Sequence, residues 1–278
     1  MQWSKAKTIM IWVFLIVDII LVATFTASRI SSRHSDIKLL TKILADNNLN
    51  VREEILETKL TDIFACEFTG ITLSEELAEI FLDSPVMKDS FTYESKNGKS
   101  FLHSESMRIF YENPSPSLKG FSKVTEKNIH AKLSYYLKKL GIYNHVKLTS
   151  VYKENEDIYA QYTYFYNDME IFNSDITFKV NEKGIKKIDG VINIPNKKSG
   201  YNFTLSNLDT ILLNFVQNNK FVSPVTVVSI TPGYYCPGYD NTVLSQAIPV
   251  YRIKTTDRIF IYDARDGIDS QKRQLLNK

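Results

Sequence analysis

One stretch constrains this chain more than any other. From Thr8 to Ala27 the sequence reads TIMIWVFLIVDIILVATFTA, with Asp18 as its one charged residue. Wound as a helix rising about 1.5 Å per residue, about 20 such residues cross the roughly 30 Å hydrocarbon core of a bilayer. No later run of the sequence is comparably apolar. The expectation is a cytoplasmic tail at residues 1–7, one transmembrane helix at 8–28, and nearly all the mass on one side. A cleavable leader fits poorly, because cleavage after Ala27 or Ala23 puts Phe25 or Leu21 where a small residue is required.

Charge alone leaves the orientation open, with Lys5 and Lys7 before the span and Arg29, Arg33 and Lys38 after it. The short leading tail decides it: large domains translocate largely regardless of charge, so residues from 29 onward are placed outside the cell membrane. A carboxyl group at mid-bilayer costs roughly 2.5–3.5 kcal/mol. Asp18 is therefore either a contact for another transmembrane helix or a tolerated polar group in a strongly apolar one.

The rest has the composition of a globular protein. Hydrophobic residues make up 44% of the 278, which excludes a disordered or multi-span chain. Lys and Arg number 34 against 31 Asp and Glu, with no basic stripe, so a nucleic-acid partner is not expected. The two cysteines, Cys66 and Cys236, form no framework; they either pair or remain buried thiols.

Periodicity gives an α+β class. Ile37, Leu40, Ile43 and Leu44 mark a helix over 35–46, with Ser35 as N-cap after a polar connector. Thr72, three before Glu75, forms a capping-box pattern ahead of a helix reaching Leu82. Runs at 91–94 and 100–105 flank Lys96-Asn97-Gly98-Lys99, a hairpin signal of the type I′ kind, and 107–111 continues the sheet. Asn113-Pro114-Ser115-Pro116-Ser117 breaks regular structure. A helix at 125–140, ended by Gly141, presents Ile129, Leu133, Tyr136, Leu137 and Leu140 on one face. Strands follow at 147–153, 158–166, 171–180 and 185–194. After the Pro195–Gly200 breaker, a helix capped by Ser206 or Asn207 precedes strands at 225–231, 248–255 and 258–263. The expected regions are 29–117, 118–198 and 199–278, the last two each a helix on an antiparallel sheet.

Chemistry is scarce. There is no G-x-S-x-G or HExxH, and His34, His103, His130 and His145 are scattered, so a non-catalytic protein without a cofactor or metal is expected. Tyr93 occupies the first glycine position a phosphate loop would need before Lys99-Ser100. Gly233-Tyr234-Tyr235-Cys236-Pro237-Gly238-Tyr239 reads as an aromatic loop, in which Tyr234, Tyr235 and Tyr239 either form a recognition surface or pack on one another. A membrane-anchored module that binds a wall component or peptide is thus one functional reading.

A second comes from the first thirty residues. Trp3-Ser4-Lys5, Lys7-Thr8-Ile9, Phe14-Leu15-Ile16 and Asp18 before Ile19-Ile20-Leu21 resemble the YycI-type regulatory proteins of low-GC Gram-positive bacteria. Leu40-Thr41-Lys42-Ile43-Leu44 before Asn47-Asn48, and Ala247-Ile248-Pro249-Val250-Tyr251-Arg252-Ile253, resemble the family too. The family often has Asn where this chain has Asp18. The resemblance implies a single-pass accessory of the WalK/WalR two-component system. Such proteins act with a YycH-type partner on the WalK histidine kinase, and their outer parts are similar to PepSY-like modules. It places Trp3, Lys5, Thr8, Phe14 and Asp18 at the membrane or partner-helix contact, and leaves the sign of regulation and the choice between homodimer and heterodimer open.

Overall fold

The computed structural model describes residues 2–56, 64–118, 120–202, 205–236 and 244–265. It is a mixed α+β structure whose chain divides into two compact units, each drawn from separated stretches.

The smaller unit takes residues 1–59, 207–229 and 254–258. Its main element is α1, Gln2–Asp46. The helix runs unbroken through the polar stretch where a connector was expected, and Ser35 lies inside it rather than capping it. The reason is local: residues 28–35 contain no Gly or Pro to stop a helix that is already nucleated on both sides. Ile37, Leu40 and Leu44 are buried. Helix α1 contacts β1 (Leu49–Asn50), the short α2 (Glu53–Leu56) and α5 (Leu208–Asn218). α5 buries Leu208, Ile211, Leu212 and Phe215 on one face, and Asn207 precedes it. Ser206 does not cap it; its hydroxyl donates instead to the Arg265 carbonyl at 2.8 Å. β1 pairs in parallel with the first residues of β12 (Val225–Tyr235), Leu49 opposite Val225.

The larger unit takes residues 60–206, 230–253 and 259–278. Its strands are β2 (Phe64–Thr69), β3 (Pro85–Asp89), β4 (Thr92–Ser95), β5 (Phe101–Glu105), β6 (Arg108–Glu112), β7 (Val146–Glu154), β8 (Asp157–Tyr166), β9 (Met169–Asn181), β10 (Gly184–Val191) and β11 (Ile194–Asn202). It also holds most of β12 and β13 (Leu244–Thr255), and β14 (Ile259–Asp263). An antiparallel array runs β7-β8-β9-β10-β6-β5-β4-β3. Strands before and after residues 113–117 therefore share one sheet, β6 against β10. β2 pairs with β11 on one side and β13 on the other.

Alternation makes this array two-faced. β4 to β6 bury every second residue, and β8 to β10 do so between register irregularities, among them Tyr93, Leu102, Ile109, Tyr111, Ile158, Tyr162, Ile176, Phe178 and Ile188. Two helices cover that face. α4 (Ile129–Lys139) buries Ile129, Leu133, Tyr136 and Leu137, with Leu140 just beyond it and Gly141 at φ 73° ending the helix. It starts four residues later than expected. α3 (Glu75–Phe81) adds Leu77, Ala78 and Phe81, the last 5.4 Å from the Tyr111 ring and 5.7 Å from Tyr136. Burying each such side chain is worth about 1.5–3 kcal/mol.

Several local expectations are corrected. Ser74, not Thr72, caps α3: its hydroxyl accepts from the Leu77 amide at 3.2 Å, and Glu75 and Glu76 follow in the first turn. With Glu75 at the first helical position, the capping-box spacing from Thr72 is out of register. The 92–105 hairpin forms, but Asn97 is not at positive φ; Gly98 alone is, at 66°, its amide bonded to the Ser95 carbonyl at 2.7 Å. Asn97 Oδ1 instead accepts from the Lys99 amide and the Ser95 hydroxyl. The two-residue turn with both residues left-handed is Asn167-Asp168, φ 48° and 61°, joining β8 to β9. Pro85 opens strand β3, and Pro195 lies within β11; both strands end the sheet order, where a missing amide is tolerated.

Candidate interaction surfaces

Three surfaces carry candidate contacts, the first of them on α1. Phe14 and Asp18 stand one turn apart on the helix and are both exposed. The side chains of Trp3, Lys5 and Thr8 lie outside the described residues. Met10, Ile11, Trp12, Phe14, Leu15, Ile16, Val17, Ile19, Ile20, Leu21 and Val22 are all exposed apolar groups, and consecutive positions point in every direction around a helix. Apolar surface on all sides of a helix is the pattern of a segment that water does not surround. Among the described residues, which omit the side chains of Ile9, Val13, Ala23 and Phe25, no helix is long and apolar enough to cross a membrane.

The aromatic segment near residue 235 is built differently from the loop the sequence indicated. Gly233, Tyr234 and Tyr235 are the end of strand β12, and Tyr234 sits in parallel register with Ile171 of β9. A Cβ on Gly233 would lie 2.5 Å from Phe172 Cζ and 2.6 Å from the Glu170 carbonyl, so only glycine allows this approach. Tyr234 is fully buried, edge-on to Tyr166 at 5.7 Å, which is in turn edge-on to Phe68. Its ring is core, not recognition surface, because a strand interior turns alternate side chains inward. Tyr235 is half-buried, and Tyr239 lies outside the described residues. Asn173 clamps the strand end, donating to the Cys236 carbonyl at 2.7 Å and accepting from its amide at 3.0 Å. Cys66 and Cys236 are both buried thiols. Burial pushes the Cys66 thiol up to about 11.

The third surface was not singled out from sequence. On β3, β4 and β5, Lys88, Asp89, Thr92, Glu94, Phe101 and His103 line an open hollow of about 320 Å³. Its floor is anchored from beneath, where the intervening Tyr93 and Leu102 are buried in the core. Lys88 Nζ donates to Glu94 Oε1 at 2.6 Å, and Thr92 Oγ1 hydrogen-bonds His103 Nδ1 at 3.0 Å. The Lys88 ammonium is held above its ordinary value by that carboxylate, and the Asp89 carboxyl is held below its own by the Phe91 amide. Phe101 stacks on Phe110 at 5.5 Å. The signal was present: two-residue alternation and the hairpin pairing put Thr92, Glu94, Phe101 and His103 on one face.

Among the described residues no group of three His, Cys, Asp or Glu side chains is placed to hold a metal ion. What fold and surfaces define is an α+β chain with a long, partly undocked helix and an open, polar-aromatic sheet face. By sequence, the chain matches no defined protein family and no curated protein. Among solved structures it is similar to an uncharacterised protein from Eubacterium rectale, with 11% identity over 80% of this chain and 90% of that one, TM-score 0.48. It is also similar to the C-terminal domain of YpeB from Bacillus megaterium, with 8% identity over 78% and 90% of the two chains, TM-score 0.34.

Proposed function

We propose that this chain is a membrane-anchored, non-catalytic regulator of a sensor histidine kinase, of the YycI type. In this reading residues 8–28 span the cell membrane, the amino terminus is cytoplasmic, and the bulk of the chain is extracellular with PepSY-like helix-on-sheet architecture. It acts on the WalK kinase together with a YycH-type partner, through its transmembrane helix and its outer part. The observation that carries the reading is the first half of α1, where exposed apolar side chains on all sides surround a single carboxyl at Asp18. A polar group in such a helix is satisfied by turning toward a partner helix. The resemblance of residues 3–21 to the YycI family names the kinase.

The test is co-purification of the full-length chain with the kinase from native membranes. Replacing residues 8–27 by polyleucine should leave the protein in the membrane but abolish association and change signalling output. Survival of both would refute contact through the span.

A further inference from the structure

We infer that the uncovered face of the β7–β3 array is a binding platform for a neutral, linear oligosaccharide, seated at one end in the hollow around Phe101. This deepens the binding-module reading of the sequence and stands whether or not the kinase contact does.

Register supplies the argument. Residues directly opposite one another on neighbouring strands share a face. Glu94 lies opposite Phe101, Phe101 opposite Glu112, Glu112 opposite Lys187, and Lys187 opposite Lys179. Lys179 lies opposite Tyr159, and Tyr159 opposite Tyr152. This unbroken row crosses seven strands, about 29 Å at the usual strand spacing. Every member is half-buried or exposed.

The chemistry of the row fits rings bearing hydroxyls. Aromatic pairs stand near both ends, Phe101 on Phe110 at 5.5 Å and Tyr152 on Tyr159 at 4.8 Å with planes 5° apart. Flat apolar faces of that kind stack against the C–H face of a pyranose. Between and around them are donors and acceptors for hydroxyls: Glu112 and the lysines along the row, and Thr92, Glu94 and His103 in the hollow.

Charge selects a neutral ligand. Lysines here have carboxylate partners: Lys88 has Glu94 at 2.6 Å, Lys187 has Asp189 at 2.9 Å, and Lys179 shares Asp157, at 3.2 Å, with Lys186 at 2.7 Å. Lys179 and Lys187 also lie over the rings of Tyr159 and Phe110. A polyanion would have to break these pairs and would meet Glu94, Glu112 and Asp89, whereas a polyol bonds to paired charges without displacing them. The length of the row favours a chain of rings over one ring.

Calorimetry of the full-length chain in detergent micelles, with chitohexaose and maltohexaose as probes, tests this. At least one should bind with a dissociation constant of about 1 mM or tighter, and at least about tenfold more tightly than its monosaccharide. Phe101→Ala and Tyr152→Ala should each weaken binding by about tenfold or more. Tyr152 is 50% exposed, so its variant folds and keeps the test valid should Phe101→Ala not. Absence of saturable binding of both hexasaccharides up to about 10 mM would overturn the inference. So would binding that Tyr152→Ala leaves unchanged, or an unstructured peptide competing fully for the same face.

Discussion

Arg252 holds Glu170 with both ends of its guanidinium, at 2.6 and 2.9 Å, while the same group lies 4.3 Å over the Phe172 ring. Strand β13 is thus tied to β9 by a planar group that donates through both terminal nitrogens and lays one face on an aromatic ring. Arg252→Lys keeps the charge but loses the fork and the stacking. It should lower the chemical-denaturation midpoint, and Arg252→Ala, which leaves Glu170 without its partner, should cost about 1–3 kcal/mol.

Gly233→Ala should be among the costliest small substitutions. The added methyl meets Phe172 and the Glu170 carbonyl at 2.5 and 2.6 Å, distances real contacts do not reach. Relieving them means shifting β9 or β12, at about 1–3 kcal/mol, read as a fall in thermal midpoint. An unchanged midpoint would mean the strand end is looser than its contacts.

The Cys66 thiol, pushed up to about 11 by burial, holds its proton more tightly folded than unfolded. The resulting stability is full below the ordinary thiol value and fades as pH rises toward 11. Cys66→Ala should therefore flatten part of the alkaline loss of stability between about pH 9 and pH 11. Because Cys66 is fully buried and its thiol is held protonated, its alkylation at pH 8 should require unfolding.

Asp157 behaves in the opposite sense. Burial raises its carboxyl, but the ammonium groups of Lys186 at 2.7 Å and Lys179 at 3.2 Å outweigh it and hold the group below its ordinary value. Its contribution is present above about pH 4 and lost as pH falls below that. Asp157→Asn should lower stability at neutral pH and reduce the steepness of acid unfolding, measured by urea titration across pH 2–7.

In the core, Leu133→Ala removes a fully buried side chain of α4 from the sheet it covers. A loss of about 2–5 kcal/mol is expected in equilibrium unfolding.

Period and turn chemistry made the sheet legible in the sequence. The runs at 147–153, 158–166, 171–180 and 185–194 are legible as strands, and α4 shows its inward residues at helical spacing. What the sequence hid was pairing between distant segments. Residues 195–200 look like a breaker because Pro195, Ser199 and Gly200 disfavour regular structure, yet β2 offers an edge on which such a chain can lie. The 28–35 stretch looks like a connector because it is polar, but polarity alone does not stop a helix. Tyr234 reads equally as surface or core in the sequence, because aromatic, glycine-rich sequence is common to loops and to tightly packed strand ends. The hollow escaped notice because none of its six residues belongs to a catalytic or ligand motif; only register brings Thr92 to His103 and Glu94 to Phe101.

The continuity of α1 has a mechanical consequence. Its 45 residues form a rod about 68 Å long at the usual helical rise. A helix with no break along its hydrogen-bonded run has no joint at which twist can dissipate. Turning the face that carries Phe14 and Asp18 turns the buried edge of Ile37, Leu40 and Leu44 by the same angle. Whatever grips the first half of this helix therefore has direct torque on the small unit built around its last turns.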